Sequence, residues 1–201
     1  MKWTNTEANS LLAIDQEIGK HNFSPAEYEI VRRVIYETAD FDYRSHLKFS
    51  DRALKVGAGA LAARSTIIVD IPAIQVAISE PVQNKFANPI YACVESHSRY
   101  DLGTLAKRYP EAIFIIGREQ SALSSFFHLV EEEEIKPAFA IITAPKLIKV
   151  NTIEKSLESL KIANIRVQGR KGNASVAIAI FKGLIDLAWE VYTQRDTTPP
   201  P

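Results

Sequence analysis

Seven consecutive residues, Gly169 to Ser175 in the order GRKGNAS, carry the clearest chemical signal in the chain. A glycine-rich turn that follows a strand and opens a helix presents backbone amides and the positive end of the helix dipole to whatever lies in front of it. Within it Arg170 and Lys171 add two cations between Gly169 and Gly172, an arrangement suited to carboxylate groups on a ligand. The same residues also fit an ordinary helix start with solvated basic side chains. A second feature is Tyr36, set off the apolar stripe of its helix by roughly a quarter turn or more at about 100° per residue, on the flank of Arg32 and Glu29. Its hydroxyl is expected at the edge of a cleft.

Other arrangements of reactive residue types are weaker. Ser98, His97 and Asp101 contain the three types of a hydrolytic triad, but near neighbours in sequence converge with difficulty and no nucleophile elbow surrounds them. His21, His46, His97 and His128 share no i, i+4 spacing, so no metal site is expected. The GAGALA run beginning at Gly57 precedes a strand instead of following one, which excludes a dinucleotide turn. The single Cys93 lies in an apolar run and reads as a small buried hydrophobe.

Elements that would position these residues follow from local pattern. Ser24 with Glu27 forms a capping box ahead of Pro25, so a helix starts there and turns Val31, Val34, Ile35, Thr38 and Tyr28 toward a core. Residues 6 to 20 read as an amphipathic helix carrying Leu11, Leu12, Ile14 and Ile18 on one side. Ser50 and Asp51 are placed to cap a small-residue helix that ends before the strand in STIIVDIP. Continuous apolar runs at 89–94, 112–117, 138–144 and 164–169 alternate with helical patterns near 73–79, 98–108, 119–134, 151–161 and 174–192. Strands without alternation are buried on both faces. The expectation is a single α/β domain over residues 1–192, a mostly parallel five- to six-stranded sheet with helices on both faces, and an unfolded tail at 193–201. Ligands of such sheets bind beyond the carboxyl ends of the strands. That directs attention to Asp70, to 95–100, Gly117 to Ser121, Thr143 to Lys149 and Gly169 to Ser175, with Asp70 expected to hold a neighbouring loop amide.

Composition narrows the classes further. At 201 residues and 46% hydrophobic the chain can bury one substantial core. Lys plus Arg and Asp plus Glu balance at 24 each, so no global field favours nucleic acid or an anionic membrane, and an anionic ligand must be held locally. No apolar run approaches the roughly 18 residues of a membrane span, and the acidic N-terminus is unlike a secretory signal, which points to a soluble cytoplasmic protein.

The run PAEYEIVRRVIYETADFDY, followed by LKFS, resembles the opening signature of the precorrin-8X methylmutases, isomerases of cobalamin biosynthesis. That family typically reads V-x-R-x-I-H in this helix, its histidine being the catalytic proton donor, and Tyr36 stands in its place here. GRKGNAS resembles the family's GR-x-GGS. GREQSAL from Gly117 resembles GNAPTAL, keeping the glycine, Ser121, Ala122 and Leu123 but not Arg118, Glu119 and Gln120. APKLIKVNTIEKS resembles VPVGFVGAAESK, keeping Pro145 and Lys155, while Lys146, Leu147, Lys149 and Asn151 fill space that small residues leave open. The family's G-x-T-R segment has only Arg99 as a counterpart.

The resemblance spans roughly residues 10 to 190. It implies an anionic corrin or other tetrapyrrole as ligand, methyl migration from C11 to C12 giving hydrogenobyrinate, no added cofactor and a homodimer. It places Tyr36 at the catalytic position and Arg32, Gly117, Arg118, Ser121, Lys146, Gly169, Arg170, Lys171, Gly172 and Ser175 around the substrate. Since a phenol with an ordinary pKa near 10 is a poorer acid than an imidazolium, reduced activity is expected. The alternative is a catalytically silent tetrapyrrole-binding carrier or regulator.

Overall fold

The computed structural model describes residues 4–94, 101–132 and 134–196. Helix α1 (Asn5–Ile18) begins with a capping box between Thr4 and Glu7, and buries Leu11, Ile14 and Ile18 while Leu12 faces out. Helix α2 (Pro25–Thr38) begins with the expected box: the Ser24 hydroxyl accepts from the Glu27 amide, and the Glu27 carboxylate accepts from the Ser24 amide. It ends where Ala39 turns left-handed at φ 53°. The expected stripe is buried at Val31, Val34 and Ile35, joined by Ile30 and, against expectation, by the charged Arg33.

A short helix α3 (Tyr43–His46) leads into strand β1 (Leu47–Phe49), which local pattern does not reveal. Three residues are too few for a periodic signal. The strand exists because β6 (Asn164–Val167) supplies its partner, with Leu47 opposite Val167 and Phe49 opposite Ile165. The next helix, α4 (Ala53–Ala62), lacks the expected side-chain cap. Ser50 is occupied elsewhere: its hydroxyl accepts from the Asn164 amide at 2.8 Å, tying the end of β1 to β6. Small residues in α4 serve close packing, since a Cβ on Gly57 would lie 2.8 Å from Leu184 and 3.2 Å from Phe139.

The remaining chain alternates as β2 (Ile67–Val69), α5 (Pro72–Lys85), β3 (Ile90–Ala92), α6 (Leu102–Arg108), β4 (Ile113–Ile116), α7 (Gln120–Glu131), β5 (Phe139–Ile142), α8 (Val150–Ser159), β6 and α9 (Ala174–Asp196). Helix α5 runs through Pro81, past the break expected after residue 79, because Ile74, Ile78 and Val82 all pack into the core. Helix α9 likewise continues beyond 192 to Asp196.

The six strands lie in the order β1-β6-β5-β4-β2-β3, parallel except for the antiparallel edge strand β1. Helices α1, α2, α4, α5 and α9 cover one face and α6, α7 and α8 the other, each with its own apolar cluster. Phe114, Phe126, Phe139 and Phe181 are fully enclosed, and truncating one to Ala costs about 3–5 kcal/mol. The expected single α/β domain with both sheet faces covered is the observed one. No helix among the described residues is long and apolar enough to cross a membrane.

Candidate active site

The strand order places a switch point between β2 and β4. From β2 the chain passes through α5 to β3 on one side, then crosses back through α6 to β4 on the other. Loops part at such a point and leave a crevice at the carboxyl ends. Asp70 sits there, nearly buried, with its Oδ2 accepting from the amides of Arg118 and Glu119 at 2.7 Å each. One carboxylate thus fixes the turn after β4, as expected for a loop-holding acid. Gly117 in that turn allows close approach, since a Cβ would meet Ile74 at 2.5 Å and Ala174 at 3.3 Å. Beside the crevice lies a cleft of about 1260 Å³ lined by Asp70, Cys93, Asp101, Glu119, Ser121 and His128 among others. Asp70, Glu119 and Ser121 on this wall fall within the expected ligand-end positions, Ser121 being the substrate contact that the resemblance implies, whereas Cys93 and His128 carry no sequence signal that would place them there. Burial, followed by the charges of Asp70 and Asp101, pushes the Cys93 thiol up to about 12, so it stays protonated.

The glycine turn occupies the neighbouring stretch of the same edge. Gly169 and Gly172 adopt φ of 84° and 127°, in the region that favours glycine, and a Cβ on Gly172 would fall 2.1 Å from the Thr143 carbonyl oxygen. The Thr143 hydroxyl donates to the Asn173 carbonyl at 2.9 Å, and the Asn173 side chain accepts from the Val176 amide at 3.1 Å. Asn173 therefore caps the first turn of α9, and Ser175 follows it, exposed. Arg118 is also exposed, while Arg170 donates to the Leu147 carbonyl at 3.1 Å and keeps the rest of its guanidinium outside.

Two cations expected beside a ligand are already engaged. The Lys146 side chain is fully buried: its Nζ donates to the Val167 carbonyl at 2.5 Å and the Gly169 carbonyl at 3.2 Å, and pairs with Glu154 at 3.3 Å. Burial lowers its pKa, against the opposing pull of Glu154. An ammonium enclosed in this way does not reach a ligand, which corrects the expected role of Lys146. Lys171 is half-buried and clamped by the carboxylates of Asp40 at 2.9 Å and Asp42 at 2.5 Å, which raise its pKa to about 12. That clamp brings the end of α2 against the glycine turn.

Tyr36 lies in the last turn of α2, four residues before Asp40, half-buried against the core shared by α2 and α9. It lines neither the switch-point cleft nor the smaller one between α7 and α8. Arg32, one turn back, is held by Asp15 of α1 at 3.1 Å and by Glu29, and so forms an α1–α2 brace. Its neighbour Arg33 reaches Asp186 of α9 at 2.6 Å, and Lys85 of α5 shares that carboxylate. His97, Ser98 and Arg99 lie outside the described residues. Among the described residues no group of three or more His, Cys, Asp or Glu side chains is placed to hold a metal ion.

A family model for precorrin-8X methylmutase matches residues 5–187. The chain belongs to the precorrin-8X methylmutase family. It is 33% identical over 203 residues to the cobalt-precorrin-8 methylmutase of Synechocystis sp., covering 90% of this chain and 94% of that relative. The corresponding protein of Leptospira interrogans is 27% identical, covering 92% and 93%. Among solved structures, the precorrin-8X methylmutase of Thermus thermophilus superposes with a TM-score of 0.83 at 26% identity, covering 94% of this chain and 99% of that one. The precorrin-8X methylmutase family is a family of isomerases in cobalamin biosynthesis, and a corrin precursor is its kind of substrate.

Proposed function

We propose that the chain is an isomerase of corrin synthesis that binds a carboxylate-rich precursor along the carboxyl edge and moves a methyl group from C11 to C12, slowly. The observation that carries this reading is the Lys171 clamp to Asp40 and Asp42, which sets the Tyr36 end of α2 beside the Gly169–Gly172 turn. Turn amides and Arg170 receive peripheral carboxylates of the macrocycle; Ser121 and Arg118 border its other side. Tyr36 donates a proton to the ring while the C11–methyl bond breaks and the C12–methyl bond forms. The same proton returns to the phenolate afterwards, because the product is an isomer and nothing is gained or lost. The Synechocystis and Leptospira relatives are cobalt-precorrin-8 methylmutases, which makes a cobalt-containing precursor the first substrate to offer and the cobalt-free one giving hydrogenobyrinate the second.

A second reading is favoured by the occupied cations. With Lys146 enclosed and Lys171 held between two carboxylates, fewer free charges face a polyanion than the sequence offers. A protein that binds a tetrapyrrole without converting it fits that economy. Titration of the purified protein with hydrogenobyrinic acid, followed by absorbance, and a turnover assay with both precursors separate the two. Binding with turnover supports the isomerase; binding alone supports the silent relative; no binding at any practical concentration removes both.

A further inference from the structure

Lys146 and Glu154 form the most enclosed ion pair described in the chain. The Lys146 side chain has 0% exposure and that of Glu154 15%. Removing a charge from water is costly, and a buried pair is often no more stabilising than well-packed apolar side chains of the same size. Its hydrogen bonds indicate what the pair does instead. Lys146 Nζ donates to the Gly169 carbonyl, and Glu154 Oε1 accepts from the Gly169 amide at 2.9 Å. Both peptide groups of one glycine, itself in the left-handed region at φ 84°, are gripped by opposite charges. Lys146 also donates to the Val167 carbonyl at the end of β6, which registers the turn against the sheet. From the same loop as Lys146, the Leu147 carbonyl accepts from Arg170.

We infer that Lys146 and Glu154 are positioning residues: together they hold Gly169, whose own amide is taken by Glu154, so that Arg170 and the amides that follow it in the turn are ready to receive the carboxylates of the ligand. This rests on the reading of that turn as the anion-binding element. Preorganisation of this kind strengthens binding by removing the ordering cost from the binding step. Touching no ligand, the pair acts only through Gly169.

The test uses the full chain, hydrogenobyrinic acid as probe, and amide hydrogen exchange as a readout independent of any ligand. Lys146→Met with Glu154→Gln removes both charges at nearly constant volume. The expected result is a melting temperature close to that of the parent, exchange at 168–172 faster by about tenfold or more with α9 unchanged, and affinity weaker by about tenfold. Glu154→Gln alone keeps the acceptor for Gly169 and is expected to lose about threefold, which keeps the idea testable if the double variant does not fold. Parent-like exchange of the turn, or affinity within twofold of the parent, overturns the positioning role while leaving the anion-binding reading intact. A parent protein that binds no corrinoid removes that reading, and this inference with it.

Discussion

Lys171 and Asp42 lie 129 residues apart in sequence and meet at 2.5 Å, with Asp40 taking the same ammonium from its other side. The glycine turn and the end of the Tyr36 helix are thereby one structural unit, and the carboxylates compete with any anionic ligand for Lys171. Asp42→Asn should leave that cation to Asp40 alone and weaken the competition. Affinity for hydrogenobyrinic acid is expected to rise several-fold at low ionic strength and the gain to shrink with added salt, since exposed charges are screened over about 10 Å at 0.1 M. An affinity that falls instead would mean that Lys171 serves only to hold α2.

Acidity should open the same clamp. The hydrogen bond from Lys171, and then its charge, hold the Asp42 carboxyl below its usual range, so its contribution is present above the unfolded value near 4 and is lost as pH falls through the folded one. Lys171, raised to about 12, gives a contribution complete below about 10.4 and lost only as pH rises through the folded value. Amide exchange of 169–172 is therefore expected to be slow, relative to its intrinsic rate, from about pH 5 to 10 and to loosen below about 4. A profile still flat at about pH 2, well below the ordinary carboxylate range, would show that the clamp does not order the turn.

Tyr36→His tests the donor. A positioned general acid is worth roughly 10² to 10⁴ in rate; Tyr36 already supplies part of that, so single-turnover conversion should accelerate by less than this whole factor while probe affinity changes little. Tyr36→Phe should abolish conversion and leave binding intact. Equal rates for Tyr36, His and Phe would place the donor elsewhere.

Gly172→Ala puts a methyl group 2.1 Å from the Thr143 carbonyl in a conformation with φ 127°. Strain and the clash together are expected to cost about 3 kcal/mol, a fall in Tm of roughly 6–12 °C for a chain of this size. Gly59→Ala, at a position with nothing within 4 Å of the added carbon, is the control and should be neutral or slightly stabilising. Equal Tm values for the two variants would mean that the turn relaxes around its carbonyl.

What the sequence by itself determined is what neighbouring residues encode. The Ser24–Glu27 box, the stripe of α2, the apolar runs of β2, β4, β5 and β6, and the turn chemistry of Gly169–Gly172 all act over a few residues, so the doubly covered sheet and the Asp70 loop contact were legible. Tertiary structure alone decided which charges are free. Lys146 reads as a loop lysine until β6 and α8 close over it, β1 reads as irregular chain until β6 pairs with it, and Arg33 finds its partner Asp186 from 153 positions away. A charge is exposed or spent according to partners that only the folded chain brings within a few ångströms, and local pattern carries no record of that distance.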